Sequence, residues 1–539
     1  MLKIIKICLL IVSLPAMLLG TNNLTTGDLI ITLKNHENWP PRYLVRPELT
    51  HVFDTENFRI HFDTEGENAV YHPDEDIDPT DGIPDYINRM AEYLEWSHYT
   101  YIMELGYDRT PPDTGLGGND NYDIYVTDIV GLTVPEFRSD YYPNREAYVC
   151  YSYIGKDLRN EHHPDNPYPF LMATCSHEYF HATQMAYRGY TSDETPWWYE
   201  LTATWAEERV FDELNEVYYY IEDYYDKIDK SIYLTGGSHM YGAWLFAEYL
   251  SQQYGVDIIK SIFNKLISFD YSLDAIVTAL FEEGITLDEA FSTFTGWNYF
   301  TSYNFQPGFF EEGMDFPVTV PLAKNHTCYP TGWIDTPKAI ENLGIAYIYF
   351  DNPGISKGDL VIMFESSCGH PEGLSLAALY PNEPVDYSIY IVEPFQNITL
   401  RVNDFSRCDG AVLSINWLYQ GYPIFDSTGY LYRAYLDTSS VGINYSDSHL
   451  PDDFYLLGNY PNPFNVSCDI IFNWNLQPVD YTIAIYDING RCVDRLLGTA
   501  QIGSNIATWT PVDDIAGGVY FYRLQIGYNE VKNKMLLLK

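Results

Sequence analysis

The stretches YPFLMATCSHEYFHATQMAY (168–187) and TPWWYELTATWAEERV (195–210) decide the fold and the site. In the first, apolar side chains recur at helical spacing through an H-E-x-x-H motif. Four residues are just over one helical turn, so His177 and His181 project from the same side and can reach one ion. Glu178 follows the first histidine, where a carboxylate can take a proton from a zinc-bound water. The motif therefore predicts a zinc site on a helix.

The predicted third ligand is Glu200, in the second stretch. Pro196 is typical of the first turn of a helix. A second helix packed on the first would present Glu200 to the ion and complete a His₂Glu set, with one position left for water. Two alternatives remain at this point: two histidines satisfied within a helical core, and a metal with a purely structural role.

The acidic composition limits the partners. The 539 residues include 75 Asp and Glu against 30 Lys and Arg, for a formal net charge of −45. Such a surface repels nucleic acid, so no nucleic-acid partner is expected. It suits an extracellular protein and offers carboxylates to calcium.

The N-terminal sequence predicts export. Residues 1–20 have Lys3 and Lys6 before an apolar run, and Gly20 near a cleavage point, as in a secretory signal peptide. The alternative is an N-terminal membrane anchor, but the run is short for a span. We expect a secreted or cell-surface protein with no transmembrane segment in the mature chain. The remaining Cys form no CxxC pair, and the pairs Cys468–Cys492 and Cys368–Cys408 stay open as disulfides.

The pattern along the chain predicts an α+β multidomain protein. FRIHF (58–62) and YDIYV (122–126) alternate like half-buried strands, and residues 86–106 are a predicted helix between them. After residue 315, short strands separated by Gly, Pro and Asn predict β-sandwich modules. The predicted division is 1–20 signal peptide, 21–150 N-terminal α/β part, 151–314 helical zinc-binding part, 315–450 accessory β-sandwich, and 451–539 C-terminal immunoglobulin-like domain.

HEYFH followed by WWYELTATWAEE resembles the gluzincin superfamily of metallopeptidases, whose signature is H-E-x-x-H-x18-E. FRIHF, DGIPDYI, YDIYV and HEYFHATQ, in this order, resemble a family of secreted bacterial metalloproteases, over roughly residues 55–255. The resemblance implies a zincin-like metallopeptidase core. It implies zinc-dependent peptide hydrolysis, with His177, His181 and Glu200 as ligands and Glu178 as general base.

Two positions depart from the gluzincin pattern. Leu201 stands where many relatives have Gly, and Thr204 where thermolysin-like enzymes have an Asp that orients a ligand histidine. Glu207 is the predicted substitute for that Asp. Gluzincins also use a Tyr or His on a downstream helix to stabilise the oxyanion. Tyr241 resembles that position best and His239 is the second candidate, although most of the 50 Tyr must be packing residues.

An acidic loop is a candidate calcium site. Residues 74–85, DEDIDPTDGIPD, place carboxylates at alternate positions, and Gly82 permits a sharp turn. The loop resembles the D-x-D-x-D-G loops of extracellular calcium proteins, and the alternative is a solvated acidic turn. The candidate ligands are Asp74, Asp76, Asp78, Asp81 and Asp85.

The C-terminal sequence resembles the sorting domain that the type IX secretion machinery reads. The resemblance lies in LLGNYPNPFN (456–465) and the ending KMLLLK (534–539). It implies passage through the outer membrane and release or surface attachment, with that machinery as a partner. The alternative is an ordinary accessory β-sandwich.

The motif and the resemblance lead to the hypothesis of a secreted zinc metalloendopeptidase acting on a protein or peptide substrate. An aminopeptidase is the runner-up among enzymes. From another class, the alternative is a cell-surface adhesin or binding protein whose metal site is structural or vestigial. The intact Glu178 favours the enzyme over the adhesin.

Overall fold

The computed structural model describes residues 46–438, apart from 190–194, 236, 367–368 and 419–426. It also describes residues 454–538, apart from 461–463, 475–476, 488–490, 513–514 and 527–528. The predicted signal peptide, 1–20, lies outside the described residues. The chain divides near residue 441 into two compact units.

A five-stranded mixed sheet begins the first unit. Its strands are β1 His51–Asp54, β2 Phe58–Phe62, β3 Tyr122–Thr127, β4 Gly131–Arg138 and β5 Tyr148–Gly155. They lie in the order β1-β2-β3-β5-β4, and β3 runs parallel to both of its neighbours. The predicted strands therefore exist, but β3 is buried along its whole length rather than half-buried. Helices cover one face, while Tyr125 packs with Tyr151 on the other and Asp123 is paired with Arg46.

The first helix lies between β2 and β3 in the chain, and the other helices follow the sheet and include those that carry the candidate site. They are α1 Asp85–His98, α2 Tyr168–Met185, α3 Thr195–Val210, α4 Ile221–Asp226, α5 His239–Gly242, α6 Trp244–Tyr254, α7 Asp257–Leu266, α8 Ser272–Glu282 and α9 Leu287–Tyr299. A π-helical turn, Tyr99–Glu104, continues α1, so the predicted helix over 86–106 changes its hydrogen bonding near its end. Short 3₁₀ turns occur at Leu116–Gly118, Glu216–Tyr220, Ser302–Asn304 and Phe405–Arg407. Within the described residues, every helix is too short or too polar to cross a bilayer.

Two larger sheets and one two-stranded sheet follow in the first unit. The strands are β6 Lys324–His326, β7 Ile334–Asp335, β8 Ile340–Glu341, β9 Ile345–Asp351, β10 Asp359–Ser366, β11 Glu372–Leu379, β12 Asp386–Val392, β13 Asn397–Val402, β14 Gly410–Trp417, β15 Ser427–Thr428 and β16 Tyr430–Asp437. The sheets β13-β10-β16-β7 and β12-β11-β14-β9-β6 enclose one hydrophobic core, and β8 pairs with β15. The second of these sheets packs on α9, where the Tyr347 hydroxyl donates to the Thr295 carbonyl at 2.7 Å.

The second unit is a sandwich of two antiparallel sheets. Its strands are β17 Phe454–Tyr460, β18 Cys468–Trp474, β19 Val479–Tyr486, β20 Cys492–Ala500, β21 Gly503–Trp509, β22 Gly518–Ile526 and β23 Asn529–Leu537. The sheets β17-β18-β21 and β20-β19-β22-β23 share one core. In β22, alternate residues from Tyr520 to Ile526 point into that core. Cys468 is buried and Cys492 is exposed, and no disulfide joins them. Cys368 lies outside the described residues.

The prediction of an α+β multidomain protein is confirmed. In β22 the buried and exposed residues alternate, whereas β11 and β14 are buried along nearly their whole length.

Candidate metal centre

Helix α2 holds the two histidines. Nearly every residue from Ala173 to Met185 is buried, because α2 lies between the first sheet and its neighbouring helices. His177 and His181 are one turn apart, and their Nε2 atoms are 3.1 Å from each other. Two imidazole nitrogens thus converge on one point.

Helix α3 brings Glu200 to that point. Trp197, Trp198, Leu201 and Trp205 are fully buried around it, so the hydrophobic packing of α3 forces the intervening carboxylate into the core. Its Oε2 atom is 3.4 Å from Nε2 of His177 and 3.6 Å from Nε2 of His181.

The three atoms fit one ion. Ligands at about 2.1 Å from a tetrahedral zinc ion lie about 3.4 Å from one another. In the described structure, neither carboxylate oxygen of Glu200 makes a hydrogen bond of ordinary geometry, although both are buried. Burial opposes ionisation of Glu200, but His181 and His177 lower its pKa to about 2. An ionised, buried carboxylate beside two imidazoles is a donor set that suits a divalent cation.

Each histidine is oriented from its other nitrogen. Nδ1 of His177 lies 2.8 Å from Oε1 of Glu207, the residue predicted to orient a ligand. Nδ1 of His181 lies 2.8 Å from Oε1 of Gln184, whose amide donates to the Tyr199 carbonyl at 2.9 Å. Donation from both Nδ1 atoms leaves both Nε2 lone pairs available to an ion.

Gln184 was not among the predicted residues. Its position three residues after His181, on the same helix face, is the signal that points to it.

Glu178 is buried at the edge of the ligand cluster. Its Oε2 accepts a hydrogen bond of 2.8 Å from the Thr133 hydroxyl on β4. Gly131 allows this approach, because a Cβ there would lie 2.6 Å from Oε1 of Glu178. Burial raises the pKa of Glu178, and its interactions with His181 and His177 oppose that rise. The structure therefore brings Glu178 together with the candidate ligands His177 and His181, and Thr133 on the sheet holds its carboxylate.

Of the two downstream candidates, Tyr241 lies against the site. Its ring centroid is 5.9 Å from that of His177 and 5.2 Å from that of Tyr220. Gly242 permits this packing, because a Cβ there would meet the Tyr220 carbonyl at 2.3 Å. Tyr220 was not predicted, and its place in a run of tyrosines gives no signal of its own.

His239 is buried elsewhere on α5. Its ring packs on Tyr224 with centroids 5.3 Å apart. Burial, together with Lys227, lowers the pKa of His239 to about 4, so it is a neutral packing residue at neutral pH.

Aspartates of the acidic loop accept hydrogen bonds from the backbone amides of the same loop. Asp76 accepts hydrogen bonds from the amides of Asp81 and Gly82, at 3.0 and 2.9 Å. Asp85 accepts from the amide of Ile77 at 2.9 Å, and Asp78 pairs with Arg89. Within the described residues, the loop aspartates do not form a group of three with oxygens inside 4.8 Å. Calcium binding by this loop, including Asp74, stays a prediction.

Comparison with known families gives two matches. Residues 459–538 match the "Secretion system C-terminal sorting domain", and residues 170–276 match a "Family of unknown function". The first confirms the predicted type IX sorting domain, so the protein is secreted or displayed at the cell surface. The second covers α2 from its third residue onward, all of α3, and Tyr241. No curated protein matches the chain.

Comparison with solved structures returns family 2 glycoside hydrolases. A β-glucuronidase of Parabacteroides merdae is 9% identical, with 36% of this chain and 28% of that chain covered and a TM-score of 0.22. A GH2 β-galacturonidase of Eisenbergiella tayi is 12% identical, with 36% and 35% covered and a TM-score of 0.21. A β-glucuronidase of Bifidobacterium dentium is 9% identical, with 36% and 38% covered and a TM-score of 0.21. The chain thus spans less than two fifths of each of these proteins.

These findings contradict the prediction of a zinc metalloendopeptidase. The solved structures are glycoside hydrolases, and the family that covers the H-E-x-x-H segment has no assigned function. The peptidase assignment is therefore withdrawn. At TM-scores of 0.21 and 0.22, glycoside hydrolysis does not transfer to this chain either.

Proposed function

We propose that this exported protein carries a hydrolytic metal centre, in which His177, His181 and Glu200 hold one zinc ion. The observation that supports it is the triangle of ligand atoms, with sides of 3.1, 3.4 and 3.6 Å. Imidazole nitrogen is a borderline donor and carboxylate oxygen is a hard donor. Zinc accepts two of the first and one of the second in three-ligand catalytic sites. The gluzincin-type ligand set and a zincin-like core around α2 and α3 belong to this proposal.

A zinc ion with three protein ligands supplies an activated water at neutral pH. Glu178 is the base of this centre: it accepts a proton from water and passes it to the leaving group. The Thr133 hydroxyl, at 2.8 Å, and the close backbone of Gly131 hold the carboxylate in place, which preserves its aim during turnover. The ring of Tyr241 packs beside that of His177, and in this proposal its hydroxyl donates a hydrogen bond to a developing negative charge.

The site is better suited to chemistry than to a purely structural ion. Structural zinc sites fill all four positions with protein ligands. Here the acid grouped with the two histidines is Glu178, which accepts a hydrogen bond from Thr133 and follows His177 directly in the chain. Because the sorting domain directs the chain out of the cell, the reaction takes place at the cell surface or in the medium.

The test combines metal content with hydrolysis of 4-nitrophenyl acetate, an activated ester that reports a nucleophilic water whatever the natural substrate. We expect one zinc per chain and measurable hydrolysis in the wild type. Glu178→Gln should keep the zinc and lose activity by about 100-fold or more. His181→Ala should lose both.

Glu213→Gln, on an exposed side chain after α3, is the matched control and should change neither. A wild-type protein that binds no zinc would refute the proposal. Retained activity in Glu178→Gln would remove Glu178 from its role.

A further inference from the structure

Three carboxylates converge at the C-terminal end of α3, away from the histidines. Glu208 is in the last turn of α3, Asp212 follows the helix, and Glu312 comes from the segment after α9. One oxygen from each lies within 4.8 Å of the other two.

Glu208 is the member that most needs a partner. Its side chain is 3% exposed, and its Oε2 atom is buried without a hydrogen bond in the described structure. The neighbouring Arg209 pairs instead with Glu248, at 3.1 Å. Among the described residues, no lysine or arginine forms an ion pair with Glu208, Asp212 or Glu312. A buried carboxylate with no partner is unfavourable unless a cation or a proton neutralises it.

The surroundings favour a hard cation over a transition metal. All three donors are carboxylate oxygens, which calcium prefers, and Glu312 is itself held by the Tyr218 hydroxyl at 2.7 Å. Two oxygens that each lie about 2.4 Å from a calcium ion are at most about 4.8 Å apart, which the cluster satisfies. The exposed Asp212 leaves one side open to water ligands. The C-terminal end of a helix also carries partial negative charge, which attracts cations.

We propose that Glu208, Asp212 and Glu312 form a calcium site that clamps the end of α3 to the segment after α9. This site is separate from the hydrolytic centre and does not depend on it. Its consequence is mechanical: α3 also carries Glu200 and Glu207, so a cation at its end stabilises the helix that presents both residues. Such a site with three protein carboxylates belongs to the weaker, extracellular range of calcium affinities.

The experiment is a calcium titration of the full chain, loaded with zinc, by isothermal calorimetry. Terbium(III) luminescence is the second readout, because the Tyr218 hydroxyl bonded to Glu312 would sensitise an ion at this site. We expect Asp212→Asn to weaken calcium binding at least tenfold. Glu213→Gln, on the exposed side chain next to Asp212, is the matched control and should leave calcium binding unchanged. Asp74→Asn tests the acidic loop separately.

Glu208→Gln provides a variant whose folding is not at risk. It removes a buried charge, so it should not lower the melting temperature in calcium-free buffer. It should abolish the rise in melting temperature that calcium produces in the wild type. The proposal is overturned if the wild type binds no calcium up to about 10 mM, well above the affinities of extracellular sites. It is equally overturned if both cluster variants respond to calcium like the wild type, or if Asp74→Asn alone abolishes binding.

Discussion

Oε1 of Glu207 lies 2.8 Å from Nδ1 of His177, although the two residues are on different helices. This contact sets the tautomer of His177 and aims its Nε2 atom at Glu200, 3.4 Å away. Glu207 therefore fills the orienting role that Thr204 does not, since the Thr204 hydroxyl donates to the Glu200 carbonyl in its own helix.

Replacing Glu207 should weaken metal binding without unfolding the protein. Glu207→Ala removes the acceptor for Nδ1 of His177, so we expect zinc affinity to fall by about 10- to 100-fold. Glu207→Gln retains an acceptor oxygen and should cost less. Competition with a chromophoric chelator measures both, with Glu213→Gln as the exposed control. Unchanged affinity in Glu207→Ala would show that the contact does not support the ligand.

The substitution Gly131→Ala should reduce the activity of Glu178 as a base without reducing the zinc content. In Gly131→Ala the new Cβ would lie 2.6 Å from Oε1 of Glu178 and 3.1 Å from Cγ2 of Thr174, so the carboxylate must move. We expect ester hydrolysis to fall at least about tenfold while zinc content stays near one per chain. Gly369→Ala is the control, because a Cβ there meets one atom at 3.8 Å. Wild-type activity in Gly131→Ala would contradict the placement of Glu178.

Removing the hydroxyl of Tyr241 is expected to lower kcat without changing the zinc affinity. Because its ring is 5.9 Å from that of His177, Tyr241→Phe preserves the packing and removes one donor. We expect kcat to fall on the order of 100-fold with zinc affinity unchanged. Tyr219→Phe, on an exposed ring of the preceding turn, should leave kcat unchanged. A loss of zinc in Tyr241→Phe would instead indicate a structural role.

The sequence predicts those parts of the site that a single helix encodes. His177, Glu178 and His181 share one turn, and Glu200 lies in a segment whose apolar residues repeat at helical spacing. Their convergence needed only that α3 pack on α2. The sorting domain was also predictable, because its signature lies in short contiguous stretches.

Tertiary contacts account for what sequence reasoning missed. Thr133 reaches Glu178 from a strand 45 residues earlier, and Glu312 meets Glu208 from more than 100 residues later. No local sequence pattern indicates contacts between residues that are so far apart along the chain. In the acidic loop the spacing predicts calcium ligands, and the structure adds that Asp76 and Asp85 accept hydrogen bonds from backbone amides of the loop. Calcium binding there stays a prediction.

Glu372 on β11 should make the stability of the first unit depend on pH. Its side chain is fully buried, and burial raises its pKa from 4.5 to about 7. Because the folded state holds this proton more tightly than the unfolded state, the stabilising contribution is present at low pH and is lost as pH rises toward 7. The full effect is roughly 3 kcal/mol.

Glu372→Gln removes this titration. The variant should unfold with a free energy close to that of the wild type at pH 4.5, and should be more stable than the wild type at pH 8. Urea unfolding at several pH values, with Glu365→Gln on β10 as the control, measures the difference. If the gap between wild type and Glu372→Gln stays constant from pH 4.5 to 8, the buried carboxyl does not titrate in this range.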